Sequence, residues 1–292
     1  MRQFTYFPPL DLAPYVDRLW GWESDAKETL ALPTLLPGTG AELYFHYRKP
    51  FEYDASMSPR SEKAHLFCLR RTALELMPAQ DTGFIAVRFR AGMLHRFLDI
   101  PGEELIDCAE AMDDIWGSAG RIVAANVADA KSHEARTSLI VAFLRSRLAA
   151  TAKDEVVEAA VSMLYGAPSL SIETLSTSLG LGRRQLERRF QGLTGQRPSE
   201  FRRLVRFQKT ARALLLTPNA NALDTALAHG YYDQSHFIRD FRSFAQASPQ
   251  AYLATARHKT HFYNRSRTDS ENMAPPATTI ERKVRANIVR RT

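Results

Sequence analysis

The stretch Gly230–Phe241, "GYYDQSHFIRDF", sets a glycine, a polar run and a basic amphipathic segment side by side. Glycine enters left-handed backbone freely, so it stops one helix, and Asp233 can then open another by accepting from its first amides. Much the same arrangement stands 51 residues earlier: "LERRFQGLTGQRP" at 186–198 aligns with "FIRDFRSFAQASP" at 237–249. Leu186 matches Phe237, Arg188 matches Arg239, Phe190 matches Phe241 and Pro198 matches Pro249. A short helical pattern ending in glycine precedes each copy, "SIETLSTSLG" to Gly180 and "NALDTALAHG" to Gly230. The repeated unit is therefore helix, tight turn, second helix. Such a turn lays the second helix across the first, where it can enter a DNA major groove.

The polar sides of the second helices fit that use. Leu186 and Phe190, like Phe237 and Phe241, lie four apart and pack inward, which turns the arginines out. The candidate DNA-contacting residues are Arg183, Arg184, Gln185, Glu187 and Arg188 in the first unit. In the second they are Asp233, Gln234, Ser235, His236, Arg239 and Arg242. Arginine pairs bidentately with guanine and glutamine with adenine, each good pair discriminating by about 1–3 kcal/mol. His236 reads more readily as a packing or phosphate contact than as a base reader, and the arginines alone would fit a solvated face; the duplication is what favours DNA. Between the copies, "PSEFRRLVRFQKTARALLL" predicts one long helix opened by Pro198, with Phe201, Leu204, Val205, Leu214 and Leu215 on its buried side.

Charge follows the same division. Residues 1–153 carry 18 Lys and Arg against 20 Asp and Glu, whereas residues 154–257 carry 13 against 9 and residues 258–292 carry 8 against 3. Within the middle block, residues 171–217 hold 10 basic side chains and 3 acidic ones, which suggests a polyanionic partner.

Toward the N-terminus the period changes from helical to two. In "ELYFHYR" Leu43, Phe45 and Tyr47 share a face, as do Ile85, Val87 and Phe89 in "GFIAVRF". From Ala91 onward the pattern turns helical, and "EARTSLIVAFLRSRL" carries a Leu139–Leu148 stripe that suits a domain-closing helix better than a dimer seam. The expected fold is α+β: a β-rich, barrel-like N-terminal domain with closing helices over 1–148, a linker at 149–153, an all-helical domain at 154–257 and a basic, disordered tail at 258–292. Trp20, Trp22, Tyr44, Tyr47 and Phe89 would line an apolar pocket or, more simply, form core.

Enzyme signatures are absent: no phosphate-binding glycine loop, no G-x-S-x-G elbow, no H-E-x-x-H pair. Glu42 and His46 share a strand face, yet no second histidine stands at ligand spacing, so neither a metal nor another cofactor is expected. Cys68 and Cys108 form no paired motif and read as two reduced, packed thiols of a cytoplasmic protein. No apolar run is long enough to span a membrane.

Residues 154–257 resemble the DNA-binding domain of the AraC/XylS family of bacterial transcription regulators. "LGLGRRQLERRFQGLTGQRPSEFRRLVRFQKTARALL" and "ALAHGYYDQSHFIRDFRSFAQASPQAYL" follow that family's two signatures through almost their full length. The resemblance implies transcription control through promoter DNA, activation as the commoner output, and RNA polymerase as a partner. The N-terminal segments "LAPYVDRLWGWE", "LLPGTGAELYFHY" and "VRFRAGMLHRFLDIPGEELIDCAEAMDDIWG" resemble the sensor-type domains of a subset of the family, which leaves open a small-molecule effector and pairing into a homodimer. Three places depart from the pattern. Gly182 stands where the first recognition helix usually has a capping serine, Gln246 where glycine is common, and Ala222 and Thr225 where larger aliphatics are usual, which predicts a thinner core in unit two. The alternative is a small-molecule-binding or catalytic β-barrel that the helical domain merely targets to DNA.

Overall fold

In the computed structural model of the chain, residues 2–53, 63–148, 153–217 and 219–256 are described. The expected linker lies almost wholly outside these residues, and the expected basic tail lies wholly outside them.

The N-terminal half is built on one six-stranded sheet whose strands are β1 (Arg2–Tyr6), β2 (Val16–Glu23), β4 (Glu42–His46), β5 (Ala64–Phe67), β7 (Gly83–Phe89) and β8 (Ala109–Ala111). Their order is β1-β2-β7-β4-β5-β8, antiparallel throughout, and a short ribbon of β3 (Thr34–Leu35) and β6 (Leu74–Glu75) lies apart from it. The pleat sorts the side chains. Leu43, Phe45, Ile85, Val87 and Phe89 face α1 (Met112–Asp129, broken at Gly117) and α2 (His133–Leu148). Trp20, Trp22, Tyr44, Phe67 and Phe84 face the opposite way, beneath Leu35 and Leu74 of the ribbon. The five aromatics weighed as a pocket lining are core, as the simpler reading has it, and they divide between two faces, because Tyr47 and Phe89 sit on the helix-covered face. The remaining three are packed ring against ring, Trp20 at 5.9 Å from Tyr44 and 5.4 Å from Trp22. β1 and β8 end the sheet on either side without pairing to each other, so it is barrel-like but open.

Two expectations meet different outcomes along the next stretch. Residues 91–111 are not yet helix proper: they hold two 3-10 turns, Leu94–Arg96 and Gly102–Leu105, and then β8. Pro101 and the left-handed Asp107 punctuate what the apolar spacing suggested was continuous. The Leu139–Leu148 stripe does close the domain, burying Ile140, Phe143 and Leu144 against the sheet.

Beyond residue 154 no strand occurs among the described residues. Seven helices follow: α3 (Glu155–Gly166), α4 (Ile172–Ser178), α5 (Arg183–Thr194), α6 (Pro198–Leu216), α7 (Ala222–Ala228), α8 (Gln234–Ala245) and α9 (Pro249–Ala256). They form two cores. Unit one gathers Val157, Leu164, Leu175, Leu186 and Phe190, and unit two gathers Tyr231, Phe237, Phe241, Phe244 and Tyr252. α6 belongs to both, giving Phe201 and Val205 to the first and Leu204, Phe207 and Leu214 to the second. A helix buried along two sides holds its neighbours at a fixed spacing.

The halves pack tightly together. Ala91 and Met93 enter the core of unit one. Against unit two, Leu36 packs on the core, the Ala73 amide donates to the Phe244 carbonyl at 2.9 Å, and the Thr39 hydroxyl donates to Gln208 Oε1 at 3.0 Å. At the end of α5, Gly195 meets Gly102 backbone to backbone: a Cβ on either would overlap the other's main chain. The sheet domain thus grips both units, across α6.

Candidate nucleic-acid interface

Each repeated unit folds as its sequence predicts. Gly180 and Gly230 take left-handed backbone in the turns, with φ of 67° and 91°. α5 then buries Leu186 and Phe190, and α8 buries Phe237 and Phe241. Asp233 caps α8 by accepting from the His236 amide at 2.7 Å, while Gly182 opens α5 with no side-chain cap. Both helices end left-handed, at Gly195 in the first and at Gln246 (φ 55°) in the second. The second turn is one residue longer than the first, and the extra length exposes Tyr232 beside the start of α8.

The candidate contact residues come together as two exposed patches. Arg183, Arg184, Gln185 and Arg188 are exposed on α5, with Glu187 half-buried and joined to Arg183 at 3.0 Å. Asp233, Gln234, Ser235, Arg239 and Arg242 are exposed on α8 and its cap. His236 is placed differently: its ring lies edge-on to Tyr231 at 5.1 Å, and Nε2 stands 3.7 Å from the Asp240 carboxylate. That geometry matches the packing role weighed for it.

Counting basic residues overstated the surface available to a polyanion. Of the 10 in residues 171–217, five hold helices to one another. Arg189 grips the α3 cap Asp154 through two hydrogen bonds, of 2.7 and 3.2 Å. Arg202 donates to the Leu170 carbonyl, Arg206 to that of Gly230 and Lys209 to that of Tyr165, while Arg203 pairs with Asp240 at 2.7 Å. Carbonyls at the C-terminal ends of helices lack intrahelical partners, so Lys209 at the end of α3 and Arg206 after α7 satisfy what would otherwise be orphans.

Asp240 is the residue that sequence reasoning missed. Buried on the inner side of α8, it accepts from Arg203 and faces Arg206 at 4.0 Å and His236. Its negative charge and burial push the Tyr231 hydroxyl above its ordinary range, burial being the larger cause. An acid amid helix-facing arginines reads in sequence as a solvated charge, and the one available signal was its spacing three after Phe237 and one before Phe241.

α7 is thin, as Ala222 and Thr225 suggested. Ala226 is its one fully buried residue, whereas α4 buries Ile172, Leu175 and Ser176. Aromatic rings make up the difference in unit two, with Phe207 at 5.2 Å from Phe241 and 4.8 Å from Phe244. A cleft of about 750 Å³ opens between the units, lined by Tyr165, Lys209, Arg212, Leu216, Leu227 and His229.

Inside the sheet domain, His46 meets His65 from the neighbouring strand, ring centroids 5.2 Å apart, among Tyr44, Phe51 and Phe84. Burial depresses both, His65 to about 3, and both ring nitrogens of His46 and Nε2 of His65 lie buried without a hydrogen-bond partner. Glu42 bonds Arg88 and the Tyr44 hydroxyl, each at 3.1 Å. Among the described residues no group of three metal-ligating side chains assembles.

Comparison with known proteins divides the chain in the same way. Residues 175–255, from α4 to α9, match the model of a helix-turn-helix domain family, and residues 4–110 match that of a domain of unknown function, DUF6597. No curated protein matches the chain. Among solved structures, a transcriptional regulator with an AraC-type DNA-binding domain from Chromobacterium violaceum is 27% identical, covers 36% of this chain and 95% of its own, and has a TM-score of 0.33. ToxT from Vibrio cholerae, in a structure with an unsaturated fatty acid bound, is 11% identical over 89% of this chain and 100% of its own, with a TM-score of 0.44. A second ToxT structure, from Vibrio cholerae O395, is 11% identical over 82% and 98%, with a TM-score of 0.42.

Proposed function

We propose that the chain is a DNA-binding regulator of the AraC type, which reads two neighbouring major-groove segments through α5 and α8 of its C-terminal helix-turn-helix domain. The observation that carries this reading is the repetition itself. Two helices expose arginine at equivalent positions, Arg188 and Arg239, and are tied to the same rigid α6. At 19 residues α6 is about 28 Å long, which suits segments roughly one helical turn, ~34 Å, apart.

In this reading Arg184, Arg188, Gln234 and Arg239 read base edges. Arg183, Gln185, Ser235, Arg242 and backbone amides anchor phosphates, Glu187 orients Arg183, and Asp233 and His236 shape the start of α8. Residues 1–148 regulate, through an effector or by pairing two chains, residues 149–153 link, and residues 154–257 bind DNA. The basic residues 258–292 add salt-sensitive, non-specific affinity. Activation with RNA polymerase in the cytoplasm is the output favoured. A catalytic or ligand-binding sheet domain is less well supported, since among the described residues aromatic side chains fill its ribbon-covered face and two cavities toward the helical domain offer only about 20 Å³ each.

Selection of bound sites from a random duplex library at about 150 mM salt tests the reading. Two short enriched blocks about one helical turn apart are expected. Arg188→Ala and Arg239→Ala should each lose about 1–3 kcal/mol of affinity for the selected duplex, relax preference in one block only, and leave the fold intact. Wild-type affinity in both variants would remove α5 and α8 from the role.

A further inference from the structure

Cys68 and Cys108 are 40 residues apart and form no sequence motif, yet the fold sets them face to face. β5 and β8 pair Phe67 with Ala109 and Leu66 with Glu110, and the next step of that antiparallel register pairs Cys68 with Cys108. The Cys68 amide donates to the Cys108 carbonyl at 3.1 Å, so the ladder continues through them. Directly opposed residues of antiparallel strands have Cα atoms about 4.5–5.5 Å apart and side chains on one face. That lies within the roughly 4.4–6.8 Å that a disulfide spans. Both thiols lie on the helix-covered face, Cys68 buried and Cys108 half-buried at its rim.

We propose that Cys68 and Cys108 are an oxidisable dithiol that a hydroperoxide closes to an intramolecular disulfide, and that closure alters how the sheet domain grips α5. The two sulfurs play different parts. The two thiols donate to backbone carbonyls, Cys68 to Leu66 at 4.0 Å and Cys108 to Glu104 at 3.7 Å, while their mutual interaction holds Cys108 below its ordinary value and, together with burial, pushes Cys68 up. The accessible Cys108 thiolate attacks the peroxide, the O–O bond breaks, and the released hydroxide takes a proton to leave as water. Cys68 then attacks the resulting sulfenic sulfur. An S–S bond forms, the S–OH bond breaks, and the hydroxyl departs with the Cys68 proton as a second water. Two thiols are oxidised and one peroxide is reduced.

Mechanical coupling follows from what Cys108 anchors. The loop before it carries the Gly102–Leu105 turn, whose first residue is seated on Gly195 at the end of α5. Its base is pinned to the strand after β5: the Leu69 amide donates to Leu105, the Asp107 amide to Leu69, and the Arg71 amide to the Asp107 carboxylate. Joining the two sulfurs in a bond pulls this base, and the glycine pair has no slack in which to absorb the movement.

The full-length protein is titrated with hydrogen peroxide and followed by intact mass, free-thiol count and amide exchange. Expected are the joint loss of both thiols, the loss of two hydrogen atoms in mass, reversal by dithiothreitol, and changed exchange at residues 101–107 and 193–195. Cys108→Ser should be inert to the same dose, and Cys68→Ser should hold a sulfenic acid that dimedone traps. Two thiols that survive in the wild type, or a Cys108→Ser variant that reacts as fast, would overturn the chemistry. A disulfide with unchanged exchange would overturn the coupling. The effect on DNA rests on the proposed reading by α5: affinity for a selected duplex should change roughly fivefold or more on oxidation. Reduced protein that binds no duplex would count against that reading alone, since mass and exchange still decide the dithiol.

Discussion

Gln246 and Gly195 occupy equivalent positions in the repeat and adopt the same left-handed backbone, but for different reasons. Gln246 is exposed and its side-chain amide donates to the Ser243 carbonyl at 3.0 Å, so an ordinary side chain bears the strain there. Gln246→Gly should therefore raise the stability of the chain by roughly 0.5–1 kcal/mol, the relief of strain less the entropy glycine loses, as read by denaturant unfolding. Gly195→Ala should cost more than the roughly 1–2 kcal/mol of left-handed strain, because its methyl would also displace Gly102. The buried histidines give a pH signature. Folded His65, at about 3, and folded His46, also depressed, bind protons less well than the same residues unfolded at about 6.5. Their stabilising contribution is complete above that value and is lost as pH falls below it, for His65 down to about 3, by up to about 1.4 kcal/mol per pH unit for each. His65→Phe should flatten the fall in unfolding free energy between pH 6 and pH 4, and an unchanged slope would show that other groups set it. Neither histidine pair nor thiol pair was legible in the sequence. Each depends on strand register, and a period of two tells which face a residue takes but not which residue it meets.

At the scale of elements, α5 and α8 were the most legible part. Their buried pairs Leu186–Phe190 and Phe237–Phe241 fix the inward side, and the duplication removes the ambiguity of a lone amphipathic segment. What fastens α8 in place was not legible, since Asp240 acts through Arg203 and Arg206 of α6, whose charges pointed by composition toward an external anion. Asp240→Asn should destabilise the chain by about 2 kcal/mol, the worth of hydrogen bonds to a charged group whose partner stays in place. It should also weaken the second block of a selected site more than the first, which footprinting of the variant would reveal. The apolar spacing after Ala91 misled for a physical reason: turns of 3-10 helix and a three-residue strand reproduce a helix-like recurrence over one or two turns without being α-helix.

For the whole molecule, the division into a β-rich and an all-helical half was plain in the period of the apolar residues. Their union was not. Thr39 with Gln208, Ala73 with Phe244, and Met93 within the core of unit one join residues more than 60 positions apart through contacts that have no local pattern. No described helix is long and apolar enough to cross a membrane. Among the described residues the sheet domain leaves the outer faces of α5 and α8 uncovered while packing on the opposite sides of both units.

The glycine contact between Gly102 and Gly195 also bears on how such a protein can be recombined. A regulator is commonly pictured as a sensor and a reader that can be traded freely between chains. Here each half presents bare main chain to the other, so a foreign partner with a side chain at either place cannot seat. A hybrid that keeps residues 154–256 but imports another N-terminal domain should assemble only if its loop brings glycine to the position of Gly102. The same import carrying alanine there should leave the two halves folded but undocked, and limited proteolysis between them would tell the two cases apart.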